Sequence, residues 1–390
     1  MKLSKAAFQK QYRHLPERDR ALLERCYDVL QENTIQGDSM PWGPGPVISP
    51  WQGENAGIWN WDSAFHAMTV SRFDTELAKS CIDTFMSYQK KNGLLPDVIW
   101  VNGSIEDDYG KPPVMPWAAC IVFEADRDMD FLRRNYEKFI KLECFLTKER
   151  SDGTLFYYSS QTDPQKDDYL HPRWESGWDN SPRWDVCPIV DLYPVDLNCF
   201  MVLFYRSMAK MAEYLSEDSS LWKEKEKSLA GTIEAVLYDE TQKAYVDRNR
   251  RTGTFSTVLS PASFMPLFVG IASPERAAEA ERLAKDPTKF YPGMPTVSYD
   301  CPGYDNDYWR GPTWLNVAFF AVKGLYDYGY RQTAEKIRSY LLDMCCHGLP
   351  DIFENYDSKT QKGKCCRAFS WSAAFLIEFI LQFRNREDPI

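Results

Sequence analysis

The sequence predicts an all-α protein, a single toroid of helical hairpins whose long loops meet at one end. Three observations carry this expectation. Apolar residues recur at i, i+3, i+4 and i+7 in eleven segments, the period of a helix with one buried face. Strand alternation is sparse and no regular βαβ order appears, which argues against Rossmann and TIM-type folds. No Ser/Gly linker, charge block or composition break divides the 390 residues, so one closed architecture over 1–390 is more economical than several domains.

The helical segments fall, in chain order, at 18–33, 61–72, 74–91, 115–125 and 128–148, then at 195–215, 219–237, 273–285, 312–328, 330–346 and 368–384. Asp74 is an N-cap candidate for the third, and Gly93 is its terminator. Between the helices, residues 40–60, 93–114, 151–194, 287–311 and 348–367 mix turn formers with Trp and Tyr. Solvent loops are rarely so aromatic, and 13 Trp and 22 Tyr clustered this way point to a concave surface that the rings line together.

Composition narrows the function. Hydrophobic residues make up 44% and charged residues 26%, the balance of a globular protein with a substantial core. A net charge of −10 and a pI near 5.1 repel nucleic acid and anionic membranes, leaving small or neutral partners. The N-terminal residues Met1 to Lys10 show no apolar stretch with a small-residue cleavage site, and no later stretch approaches the length of an apolar span, so the chain reads as cytoplasmic. Eleven cysteines, an odd number dispersed through apolar segments, read as reduced and mostly buried thiols. Neither Cys345-Cys346 nor Cys365-Cys366 has zinc spacing, the four histidines form no metal motif, and the acidic runs at 106–108 and 167–168 lack calcium-loop spacing. The expectation is therefore no metal and no organic cofactor.

A toroid of this kind also suits terpene cyclases and prenyltransferases, so chemistry must come from the site. The Asp-x-Asp-Asp motif of a cyclase and a zinc set for a prenyltransferase are both missing from the sequence. Aromatic loops suit sugars, whose C–H faces pack on Trp and Tyr while polar side chains meet the hydroxyls. Asp179 and Glu354 each lie among aromatic and turn residues, and a glycosidase needs two carboxyls, one protonated and one ionised. Read locally, Asp179 is equally a helix cap before Asn180-Ser181-Pro182 and Glu354 an exposed loop charge.

Four ordered motifs sharpen the choice. Trp59-Asn60-Trp61-Asp62-Ser63-Ala64-Phe65, Glu175-Ser176-Gly177-Trp178-Asp179-Asn180-Ser181, Tyr308-Trp309-Arg310-Gly311-Pro312-Thr313-Trp314 and Phe353-Glu354-Asn355-Tyr356-Asp357 resemble those of glycoside hydrolase family 63. Pro194-Val195-Asp196-Leu197-Asn198 resembles a segment of the related family 37 trehalases. The resemblance spans about residues 40–380 and implies an (α/α)6 barrel and an inverting mechanism on α-linked sugars. It also implies Asp179 as general acid and Glu354 as general base.

The resemblance suggests Trp59, Trp61 and Asp62 as a ring platform and hydroxyl acceptor for the cleaved sugar. Trp178 supplies apolar surroundings to Asp179, and Trp309 is a further sugar-contact candidate. Arg310 is expected to bind hydroxyls or to hold the Glu354 carboxylate. Trp51, Trp174, Tyr304 and Asp305 are candidates, with Trp309, for the pocket mouth. Where families 37 and 63 often carry Gln before Pro-Pro, this chain has Lys111 before Pro112-Pro113. Its added charge can pair with an acidic aglycone such as glycerate or with a neighbouring carboxylate.

The resulting expectation is an inverting hydrolase of a small α-glucoside or α-mannoside, such as glucosylglycerate, mannosylglycerate or a short α-glucoside. A trehalase, a sugar isomerase or epimerase, and a sugar-binding protein on the same scaffold are the alternatives.

Overall fold

The computed structural model describes residues 2–53 and 56–383. Its α-helices are α1 (Lys5–Gln11), α2 (Glu17–Glu32), α3 (Asn60–Val70), α4 (Thr75–Ser87), α5 (Met115–Asp126), α6 (Met129–Glu149) and α7 (Leu170–Ser176), followed by α8 (Val195–Tyr214), α9 (Ser220–Val236), α10 (Met265–Phe268), α11 (Pro274–Lys285), α12 (Leu315–Asp327), α13 (Arg331–His347) and α14 (Ser370–Leu381). All eleven expected helices are present, most within three residues of the expected ends. The last expected residue of the final helix, at 384, and the loop positions 54 and 55 lie outside the described residues.

Twelve of these helices alternate between two concentric rings. The inner ring runs α3, α5, α8, α10, α12, α14, and α14 packs back on α3 to close it. Outside stand α2, α4, α6, α9, α11 and α13. The protein is thus an (α/α)6 barrel. Sequence explains the sorting. Every residue of α3 and all but the last of α14 are buried, as an inner helix with neighbours on all sides requires. On α6, by contrast, burial follows Phe131, Asn135, Phe139, Leu142 and Leu146, one stripe along an otherwise polar helix.

Two local expectations need correction. Asp74 does cap α4, its side chain accepting from Leu77 N at 3.1 Å, but the helix ends at Ser87 rather than 91. Gly93 sits instead in the following turn, where a Cβ would lie 2.2 Å from the Lys141 carbonyl oxygen. The twelfth barrel helix, α10, was not expected: it is a single turn carrying Pro266, entered from a 3-10 turn at Pro261–Phe264, and so short a piece shows no period.

Strands are confined to short antiparallel pairs in the loops, such as Gly57–Trp59 with Val98–Trp100 and Asn355–Tyr356 with Gly363–Lys364. All eleven cysteines are unpaired. Five are buried, while Cys144 and Cys365 are exposed, so burial is less general than the apolar flanks suggest. No helix is long and apolar enough to cross a membrane, and no cluster of metal-ligand type occurs among the described residues.

Candidate active site

The aromatic loops meet over one end of the barrel and enclose a pocket of about 450 Å³. Its wall combines Trp51, Trp59, Trp61, Trp309, Trp314, Phe369, Trp371 and Tyr308 with four ionisable side chains, Asp62, Lys111, Asp179 and Glu354. An apolar concavity with a few convergent polar groups is the usual form of a small-ligand site.

Asp179 lies in the turn that follows α7. Gly177 ends that helix at φ +71, and its missing side chain lets the Trp61 ring pack directly on the backbone. Asp179 itself is held at φ +21 and caps no helix. Asn180, the next residue, accepts from Trp309 N at 3.0 Å and donates to Asp307 at 3.2 Å, tying this loop to the Tyr308–Trp314 segment.

Glu354 is 7% exposed and enters from the opposite loop. Its N–H donates to the Cys366 carbonyl at 2.9 Å, and Cys366 N–H returns a bond to Oε2 at 3.3 Å. Tyr308, not singled out from sequence, stands in the same wall, and its hydroxyl favours the ionised form of both carboxyls.

Burial raises both carboxyls above their ordinary range. For Asp179 this is opposed by the Lys111 ammonium, a backbone N–H and Tyr308. For Glu354 it is opposed by Cys366 and Tyr308, while the Asp179 charge adds to it. Asp62, in the first turn of α3 and 4% exposed, is driven well upward by burial despite Lys111. Asp97 stands behind the wall, and burial pushes it up to about 6.

Lys111 proves to be a partner of these acids. Its Nζ lies 3.2 Å from Asp97 Oδ1 and donates to the Trp174 carbonyl, with both charged side chains under 10% exposed (8% and 7%). Asp97 follows Leu95-Pro96 at the start of a strand, a position indistinguishable in sequence from an ordinary turn aspartate.

Several sequence candidates sit elsewhere. Arg310 is not in the wall and does not hold Glu354: its guanidinium bonds Asp185 at 2.7 and 3.2 Å, Asp305 at 3.1 Å and the Asn180 carbonyl at 3.0 Å. It clamps the Asp179 loop instead. Trp178 is 1% exposed and lies under Arg183, whose Cζ is 4.7 Å from the ring centre. Arg183 in turn is fixed by Asp247 and by Asp196, so the Pro194–Asn198 motif supports the acid loop from behind and does not face the sugar. Of the mouth candidates, Trp51 and Trp309 line the pocket. Trp174 packs with Tyr109 and His171, Tyr304 with Tyr299, and Asp305 pairs with Arg310. Trp314, Phe369 and Trp371 line the pocket without having been singled out, since all three read as the start of a core helix.

Comparison with known proteins gives a consistent result. Residues 55–372 match the domain family described as mannosylglycerate hydrolase MGH1-like glycoside hydrolase. A mannosylglycerate hydrolase of Rubrobacter radiotolerans is 25% identical over 87% of this chain and 92% of its own. Mannosylglycerate hydrolase MGH1 of Selaginella moellendorffii is also 25% identical, over 92% of this chain and 86% of its own. Among solved structures, the family 63 mannosylglycerate hydrolase of Thermus thermophilus, in complex with Tris and D-glycerate, superposes with a TM-score of 0.79 over 91% of this chain and 99% of that one, at 23% identity. Neutral trehalase Nth1 of Saccharomyces cerevisiae shares the fold at a TM-score of 0.69 and 18% identity, over 93% and 80%.

Proposed function

Because the chain belongs to the mannosylglycerate hydrolase MGH1-like glycoside hydrolase family, we propose that Asp179 and Glu354 hydrolyse an α-linked glucoside or mannoside with inversion. Membership makes the protein a glycoside hydrolase acting on small glycosides. The observation that carries the residue assignment is that Asp179 and Glu354 come from separate loops to the wall of one aromatic pocket, with Tyr308 beside them.

In this mechanism protonated Asp179 donates to the glycosidic oxygen as the bond to the anomeric carbon breaks. Ionised Glu354 removes a proton from a water that attacks the opposite face of the sugar ring. Inverting pairs stand about 6.5–9.5 Å apart, retaining pairs about 5–5.5 Å. Burial keeps Asp179 protonated further into the neutral range than a free aspartate, as a general acid requires. Glu354 accepts from the Cys366 amide, and with the neighbouring Cys366 thiol and Tyr308 hydroxyl this favours its ionised form against burial. Trp59 and Trp61 offer ring faces to the sugar, and Asp62 meets its hydroxyls. Reaction by this route needs no cofactor. The eleven unpaired thiols suit a reducing compartment, and we place the enzyme in the cytoplasm.

The test is turnover of α-glucosides and α-mannosides by two variants. Asp179→Asn should lose roughly 10²–10⁴-fold on an ordinary glycoside, the usual value of general acid catalysis, and much less on an α-glycosyl fluoride, whose leaving group needs little protonation. Glu354→Gln should be crippled on both. Near-normal turnover of the ordinary glycoside by either variant would remove that residue from the mechanism.

A further inference from the structure

The charge of the leaving group can be read from the same pocket, granted the glycosidase reading above. Three carboxyls, Asp62, Asp179 and Glu354, face the cavity, and among the described residues one cation lines it, Lys111. That ammonium is already engaged: it lies 3.2 Å from Asp97 and donates to the Trp174 carbonyl, with its side chain 8% exposed. Two cations of the adjoining loops are occupied as well. Arg310 is divided between Asp185, Asp305 and the Asn180 carbonyl, and Lys364 donates to the Asn306 carbonyl.

We propose that this site is built for α-glycosides with an uncharged leaving group, a polyol or a second sugar, and discriminates against leaving groups that carry a carboxylate. Charge bookkeeping supports this under working conditions. With Asp179 protonated for catalysis and Lys111 neutralised by Asp97, the ionised Glu354 leaves the pocket net negative, and any charge on Asp62 adds to it. An anionic leaving group then either stays unpaired beside that charge or must pull Lys111 off Asp97 and strand a buried carboxylate. Both outcomes disfavour it, as like-charge contacts and unpaired buried charges do in any interface. The relatives named for mannosylglycerate act on a glycoside whose aglycone is an acid. In this chain the Lys111–Asp97 pair turns the one cation of the wall into a neutral element.

Matched substrates isolate the charge. α-Glucosylglycerol and α-glucosylglycerate differ only in a hydroxymethyl against a carboxylate, and the corresponding mannosides form a second pair. The wild-type enzyme should show kcat/KM at least tenfold higher for the glycerol member of whichever pair it hydrolyses. Equal values, or a preference for the glycerate member, would overturn the proposal. Asp97→Asn, which releases the ammonium, should move the ratio at least threefold toward the glycerate glycoside; an unchanged ratio would refute the role given to the pair. If the wild type hydrolyses none of the four, turnover of a neutral α-disaccharide decides the hydrolase reading separately, and calorimetric titration of the same four compounds decides the charge question. Tighter binding of the glycerol glycosides sustains it, and equal or tighter binding of the glycerate glycosides ends it.

Discussion

Asp179 and Glu354 are both raised by burial, yet a working acid and base must sit on opposite sides of the operating pH. Tyr308 is the residue that couples them. Its hydroxyl stabilises the ionised form of each carboxyl, so Tyr308→Phe removes a downward influence from both. The sign follows directly: a higher Glu354 pKa delays ionisation of the base and moves the acid limb of the kcat/KM profile upward, and a higher Asp179 pKa moves the alkaline limb the same way. A hydrogen bond to a charged group is worth about 1.5–3 kcal/mol, and shared between two carboxyls it shifts each limb by about half to one pH unit. A profile that loses height without moving would show that Tyr308 only fills space. At this scale the sequence was readable where a motif carried the residue, as for Asp179, Glu354 and Asp62. It was unreadable for Tyr308 and Asp97, whose roles depend on a neighbour 129 positions away in the first case (308 to 179) and on Lys111 in the second. Arg310 was misjudged for the same reason, since its partner Asp185 comes from a loop 125 residues distant.

The loops and helix ends are built as interlocking parts. Gly177 ends α7 in the left-handed region, and a Cβ there would come within 2.4 Å of the Trp61 ring on α3. Gly177→Ala combines that overlap with backbone strain of roughly 1–3 kcal/mol, and it displaces the ring that forms part of the sugar wall. The expected result is a destabilisation of at least about 1 kcal/mol in denaturant titration, together with a tenfold or larger fall in kcat/KM. Unchanged kinetics would mean that Trp61 is not a sugar contact. Helices were legible as elements because their apolar stripes persist over several turns. The single turn of α10 was not, because four residues with a proline carry no period, and its place is fixed by tertiary contacts, chiefly with α12 and α8.

The whole molecule is a closed ring, so the first and last helices of its inner ring must meet. Glu378 on α14 is fully buried and accepts from Arg72 at 2.9 and 2.6 Å and from Thr69 at 3.0 Å, joining α14 to the end of α3. Removing one partner of a buried pair costs roughly 3–5 kcal/mol. Glu378→Ala should fall near the lower end, since the Arg72 side chain keeps 35% of its surface and can turn to water. If the barrel folds as one unit, calorimetry should show a single transition that moves down as a whole in this variant; two separated transitions would indicate independent halves. Closure was foreseeable from the count of hairpins and the lack of linkers, whereas the inner and outer assignment of each helix emerged only from which faces were buried. The account as a whole stands on inversion by two carboxyls across one pocket. Proton NMR of the wild-type enzyme with an α-linked substrate, read before the released sugar mutarotates, tests it most directly. Prompt appearance of the β-anomer is the predicted result, and initial release of the α-anomer would contradict the mechanism.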